Sequence, residues 1–140
     1  MIITEDKGAL ELLKVRFNNN WPTSKDLTLK LYVNDEVPAD SDELAAYAEA
    51  AGGGYLAKTL TCGNWTIAIV NGIATATYAL QVFTFTGPLS PNPTAYGYFV
   101  VDGNNVVQWS ERFSEPCTPT SNGNHIDIPV IYQASFGIPA

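Results

Sequence analysis

The sequence is short of charge, and what it has is unevenly shared. Only 15% of its 140 residues are Asp, Glu, Lys or Arg, against about 25% in an average soluble domain. Residues 59–140 carry Asp102, Glu111, Glu115 and Asp127 against Arg112, whereas residues 1–58 hold ten acidic and six basic side chains. The net charge of −7 supplies neither the basic stripe that binds nucleic acid nor a cationic patch for anionic lipid. No nucleic-acid partner is expected. Long apolar runs are missing too: nothing approaches the ~18 residues of a membrane-spanning helix. The opening "MIITEDKGALELL" lacks the positive start, apolar stretch and cleavage site of a secretory signal. The expectation is a protein made in the cytoplasm with no membrane contact.

Reactive side chains are equally scarce. Cys62 and Cys117 are too few for a disulfide framework and are expected as free thiols. With His125 the one histidine, the soft-ligand set is too small for zinc. The acidic loop with Asp35, Glu36, Asp40, Asp42 and Glu43 lacks the spacing of an EF-hand. "AGGGY" (51–55) lacks the Lys-Ser/Thr of a P-loop and reads as a turn into a strand. No serine stands in a G-x-S-x-G setting. No metal, cofactor or catalytic residue is expected, and the chain is not read as an enzyme.

What is present is β-pattern. "DLTLKLYV" (26–33) alternates, with Leu27, Leu29, Leu31 and Val33 on one face and Thr28, Lys30 and Tyr32 on the other. "YLAKTLTCGNWTIAIVNG" (55–72) reads as two strands around Cys62-Gly63-Asn64, and Asn71-Gly72 is a second turn signal. In "ATATYALQVFTFTG" (74–87), Tyr78, Leu80 and Val82 alternate with Phe83 and Phe85; one register cannot bury both sets, so a bulge or two covered faces is expected. "YGYFVVDGNNVVQWSERF" (96–113) is a hairpin turning at 102–105. "HIDIPVIYQASF" (125–136) is a last strand whose Pro129 belongs at an edge or a bulge. Around Leu44, Tyr47 and Ala48 there is room for a brief helical turn. Seven or eight short strands with regular turns predict an all-β fold, an antiparallel β-sandwich or jelly-roll-like domain over residues 21–140. Residues 1–20 are expected to form an N-terminal arm or short helix, with Leu10, Leu13 and Phe17 at helical spacing.

In the hairpin, Phe99, Val101, Val107, Trp109 and Phe113 are expected as core, while Tyr96 and Tyr98 share the face assigned outward. Alternation sets Glu111 between Trp109 and Phe113 on the apolar face. A carboxyl held there could act as a general acid, although glycoside hydrolysis needs a second carboxylate and no spacing singles one out. Outward Tyr32, Tyr96 and Tyr98 suit either sugar stacking or protein contact, where aromatic anchors are enriched.

Several segments together resemble a group of small structural proteins of tailed bacteriophages: "LTLKLYVND", "PADSDELAAYAEAAGGGYLAKTLTCGNWTI", "QVFTFTGPLSPNPTAYGYFVVD" and "WSERF", from Leu27 to Phe113. The resemblance implies a virion protein without catalytic residues, bound as a capsid decoration or cement protein on the capsid surface. Its implied partner is a major capsid protein of HK97-type fold. Self-association as a homotrimer, with a homodimer as the alternative, would match local shell symmetry. Leu10, Leu13, Phe17, Tyr32, Tyr96 and Tyr98 are the expected contacts, and deleting residues 1–20 is expected to abolish particle binding. The alternative is a tail or fibre domain that binds a host receptor or glycan through Tyr96 and Tyr98.

Overall fold

A computed structural model describes residues 26–133 together with Leu13 and Phe17. Seven strands follow in chain order: β1 Leu27–Tyr32, β2 Lys58–Leu60, β3 Thr66–Val70, β4 Ile73–Thr84, β5 Ala95–Val101, β6 Val107–Cys117 and β7 His125–Gln133. A single 3-10 turn, Leu44–Ala46, interrupts them. The fold is all-β, two antiparallel sheets of the expected sandwich class: four strands in the order β2-β1-β5-β6 and three in the order β3-β4-β7. The strands flanking Cys62-Gly63-Asn64 therefore belong to different sheets. The predicted N-terminal helix or arm, Leu10 included, lies outside the described residues apart from Leu13 and Phe17.

The chain divides into two compact units. One comprises Leu60–Leu80 with, among the described residues, Leu13, Phe17 and residues 129–133; the other comprises Asp26–Thr59 and Gln81–Ile128.

In the first unit the interior is aromatic. The Phe17 ring lies 4.3 Å from Trp65 and 5.6 Å from Tyr132, and Trp65 lies 5.2 Å from Tyr78. Backbone bonds tie the rings to the turn beyond β2: the Gly63 N–H donates to the Phe17 carbonyl at 2.9 Å, and the Thr61 N–H to the Tyr78 hydroxyl at 3.0 Å. Leu13, Leu60, Ala74, Ala76 and Val130 complete this core. The Asn71-Gly72 turn forms as its sequence requires, both residues at positive φ (51° and 78°), the pairing that suits the twist of a two-residue hairpin.

In the second unit β5 is the central strand and is buried on both faces. Register partners share a face: Leu29 stands opposite Val100 and Leu31 opposite Tyr98, while Lys30 stands opposite Phe99 and Tyr32 opposite Gly97. The first set is one apolar layer. The second is covered by residues 34–49, which fold back over the sheet and lay Tyr47 on Phe99, ring centroids 5.0 Å apart and planes at 13°. Tyr32, Tyr47, Phe99 and Val101 form one buried cluster, each large side chain contributing about 1.5–3 kcal/mol through burial. Gly97 is required here, because a Cβ would run into the Glu111 carbonyl and the Tyr32 ring. Gly53 has a similar reason: a Cβ would meet the Gly87 and Pro88 carbonyls, and φ is positive (56°).

β4 resolves its conflicting pattern without burying both sets. Ala74, Ala76, Phe83 and Phe85 are buried and Tyr78 half-buried, while Leu80 and Val82 are exposed. Pro129 sits on β7, at a sheet edge, where its missing N–H costs no ladder bond. Neither Cys62 nor Cys117 forms a disulfide.

Candidate interaction surface

Leu60–Leu80 and residues 129–133 contain no Asp, Glu, Lys, Arg or His. The five charges of residues 59–140 all lie between 102 and 127, in the other unit. This uncharged segment nevertheless presents large apolar side chains to solvent: Ile69, Val70, Ile73, Leu80 and Ile131, from 37% to 55% exposed. Ile69 and Val70 end β3, Ile73 opens β4, and the tight turn between them holds the group at the hairpin tip. Ala74 and Ala76, buried under the same hairpin, give it a rigid base. Charge depletion combined with exposed apolar area is the composition of an interface core.

The residues predicted as contacts are placed differently. Tyr32 is fully buried and Tyr98 is 7% exposed, so their outward assignment is corrected. Tyr32 lies on the face that residues 34–49 cover, and Tyr98 stands opposite Leu31 in the other apolar layer; alternation alone shows neither. The Tyr32 hydroxyl donates to the Glu36 carbonyl at 3.2 Å. Tyr98 donates to the Glu111 carboxylate and accepts from the Trp109 indole. Burial pushes both phenols up to about 12. Tyr96 is half-buried, and the Arg112 guanidinium covers its ring at 5.3 Å. That guanidinium also meets Asp35 at 2.6 Å and donates to the Glu36 carbonyl at 2.9 Å, pinning the acidic loop to β6. Leu13 and Phe17 are buried within their own chain rather than held out for a neighbour. The expected platform of three tyrosines is therefore not assembled.

Glu111 is also corrected: it is exposed, not enclosed between Trp109 and Phe113. β6 breaks register beside it. Gly97 stands opposite Arg112 and Ala95 opposite Cys117, so two steps along β5 answer five along β6 and residues 113–116 bulge out. Strict alternation fails at Phe113 for that reason, and Val107, Trp109 and Phe113 end up half-buried while Phe99 and Val101 are core as expected.

Two hollows of the second unit hold polar groups that face one another. One of about 550 Å³ lies against the bulge, lined by Glu111, Phe113, Glu115, Cys117, His125 and Asp127. His125 and Asp127 pair there at 2.7 Å. Burial pushes the Cys117 thiol up, away from the thiolate that nucleophilic attack requires. The other, about 320 Å³, is lined by Asp40, Asp42, Tyr47 and Ser110. Its polar groups are turned on one another: Tyr47 Oη lies 2.8 Å from Ser110 Oγ, and Asp42 Oδ2 accepts the Ala39 N–H at 2.9 Å. Among the described residues no group of three or more His, Cys, Asp or Glu is placed to hold a metal ion.

Sequence reasoning reached the charge asymmetry and the Asn71-Gly72 turn but not the exposed tip. The signal for it was the run "TIAIVNGI", too apolar for a solvated hairpin. No protein-family model, curated protein or solved structure matches the chain.

Proposed function

We propose that the chain is a non-enzymatic virion protein, a capsid decoration or cement protein that binds and stabilises a shell of HK97-type major capsid protein. The observation that supports this reading is the uncharged segment Leu60–Leu80 with its exposed Ile69, Val70, Ile73 and Leu80. The phage assignment itself rests on the resemblance of residues 27–113. A decoration protein binds many equivalent sites and stabilises the shell only in the assembled state, by mass action. An uncharged apolar face serves that end, since docking it strips no charge of water. The acidic loop and β6, which carry the charge of the second unit, keep the remaining surface soluble.

The expected outcome is co-sedimentation with capsids that lack the protein, saturating at a fixed stoichiometry, and a rise in the temperature at which those capsids break. Protein left in the supernatant at every concentration contradicts the reading.

A further inference from the structure

A strand at the end of a sheet presents unpaired N–H and C=O groups, a template for another chain, and proteins blunt such edges with charge, proline, bulges or brevity. Four strands end a sheet here: β2, β6, β3 and β7. β2 is three residues long and starts with Lys58. β6 carries Glu111, Arg112, Glu115 and Pro116, and it bulges. β7 carries Asp127 and Pro129. β3 has none of these devices. It reads Thr-Ile-Ala-Ile-Val, mostly β-branched and wholly uncharged, with Thr66, Ala68, Ile69 and Val70 exposed. Among the described residues only β4 pairs with it.

We propose that β3 is a self-association edge: two copies pair their β3 strands antiparallel about a two-fold axis, fusing two three-stranded sheets into one. Charge selects a second copy as the occupant. Two chains of net charge −7 repel wherever carboxylates face each other, and this strand lies in a stretch without any. The strand is also complementary to itself. With the axis at Ala68, Ile67 faces Ile69 of the other copy, Thr66 faces Val70, and the small Ala68 side chains meet at the centre. Directly opposed β-branched residues are favourable neighbours in an antiparallel pair, and an isologous contact of this kind closes at two copies. The inference rests on reading the uncharged segment Leu60–Leu80 as an assembly surface, and it gives that surface a specific partner and symmetry. Ile73 and Leu80 on β4 and Ile131 on β7 are left for the shell.

The test is sedimentation equilibrium of the full chain and of Ala68→Lys, Thr66→Lys and Val106→Lys, with circular dichroism to confirm folding. The wild type is expected to sediment at twice the chain mass. Ala68→Lys sets two ammonium groups face to face and is expected to weaken the dimer about tenfold or more. Because each lysine lowers the net negative charge, general repulsion cannot account for that loss. Val106→Lys, on the β5–β6 turn, is expected to leave the dimer intact. Should Ala68→Lys fail to fold, Thr66→Lys decides. A wild type that stays monomeric or forms a trimer overturns the inference, as does a dimer that survives both β3 lysines. Shell binding separates the two proposals: a dimer that ignores shells sinks only the decoration reading, and a monomer that binds them sinks only this one.

Discussion

Val70 and Ile73 stand directly opposite each other across the β3–β4 hairpin, both exposed, with Asn71-Gly72 the turn between them. A cross-strand apolar pair normally faces a core; this one faces solvent at the tip of an uncharged hairpin. Replacing Ile73 or Leu80 with lysine should therefore act on assembly rather than folding. The expected change in unfolding free energy is within about 0.5 kcal/mol, the ordinary range for exposed positions. Shell binding, followed by co-sedimentation, should weaken about tenfold or more, since a charge would be buried without a partner. Unimpaired binding by both variants would remove this face from the docking account.

Phe17 anchors the first unit from within. Phe17→Ala removes the ring packed on Trp65 and Tyr132 and should cost about 3–5 kcal/mol, the range for deleting a buried aromatic side chain. Urea melts would read this as a lower midpoint. It follows that loss of particle binding on deleting residues 1–20 would reflect a damaged core as well as any lost contact. A neutral Phe17→Ala would show that the ring is not core.

Tyr47 separates ring from hydroxyl. Tyr47→Phe keeps the stack on Phe99 and loses the bond to Ser110, which should cost about 0.5–1.5 kcal/mol. Tyr47→Ala uncovers Phe99 and Tyr32 and should cost about 3–5 kcal/mol. Equal costs for the two variants, measured in urea, would contradict the covering role of residues 34–49.

Gly97 gives a steric test of the same layer. Gly97→Ala drives a methyl into Tyr32 and the Glu111 carbonyl, so a loss of about 1–3 kcal/mol is expected. Tyr32→Leu in the Gly97→Ala background should restore part of it, because the ring is one of the two obstacles.

Alkaline pH should unfold the second unit. Tyr32 and Tyr98 are held up to about 12 when folded, against 10.0 for a free phenol, mainly by burial. The folded state therefore keeps these protons when the unfolded state has lost them. Their stabilisation is complete below pH 10 and disappears as pH rises from 10 through 12. Phenolate absorbance should lag in the folded protein and appear together with loss of near-ultraviolet circular dichroism. Tyr98→Phe should reduce the alkaline sensitivity while leaving the neutral-pH fold intact. Ionisation of all tyrosines at pH 10 without unfolding would contradict their burial.

The strands were legible wherever local chemistry decides them. Leu27, Leu29 and Leu31 alternate into the core, Ile126, Ile128 and Val130 do the same on β7, and Asn71-Gly72 and Asp102–Asn105 turn as their residues demand. Tyr32, Tyr98 and Glu111 were misplaced for non-local reasons. Period-2 alternation cannot say whether a distant segment covers a face, as residues 34–49 cover that of Tyr32, or which face of β5 meets the leucines of β1, as that of Tyr98 does. The bulge at 113–116 is likewise invisible in composition, yet it shifts every face that follows. Charge asymmetry was legible, because charged side chains are shown directly by the sequence. Which apolar residues of the charge-poor half stay outside depended on the pairing of β3 with β4, a matter of register.

Electron microscopy of decoration-free capsids incubated with the pure protein tests the central claim most directly. The account predicts density at regular, symmetry-related positions on the shell, with Ile73 and Leu80 of β4 buried in the contact. Bare shells, with the protein found only at the tail of native virions, would contradict it.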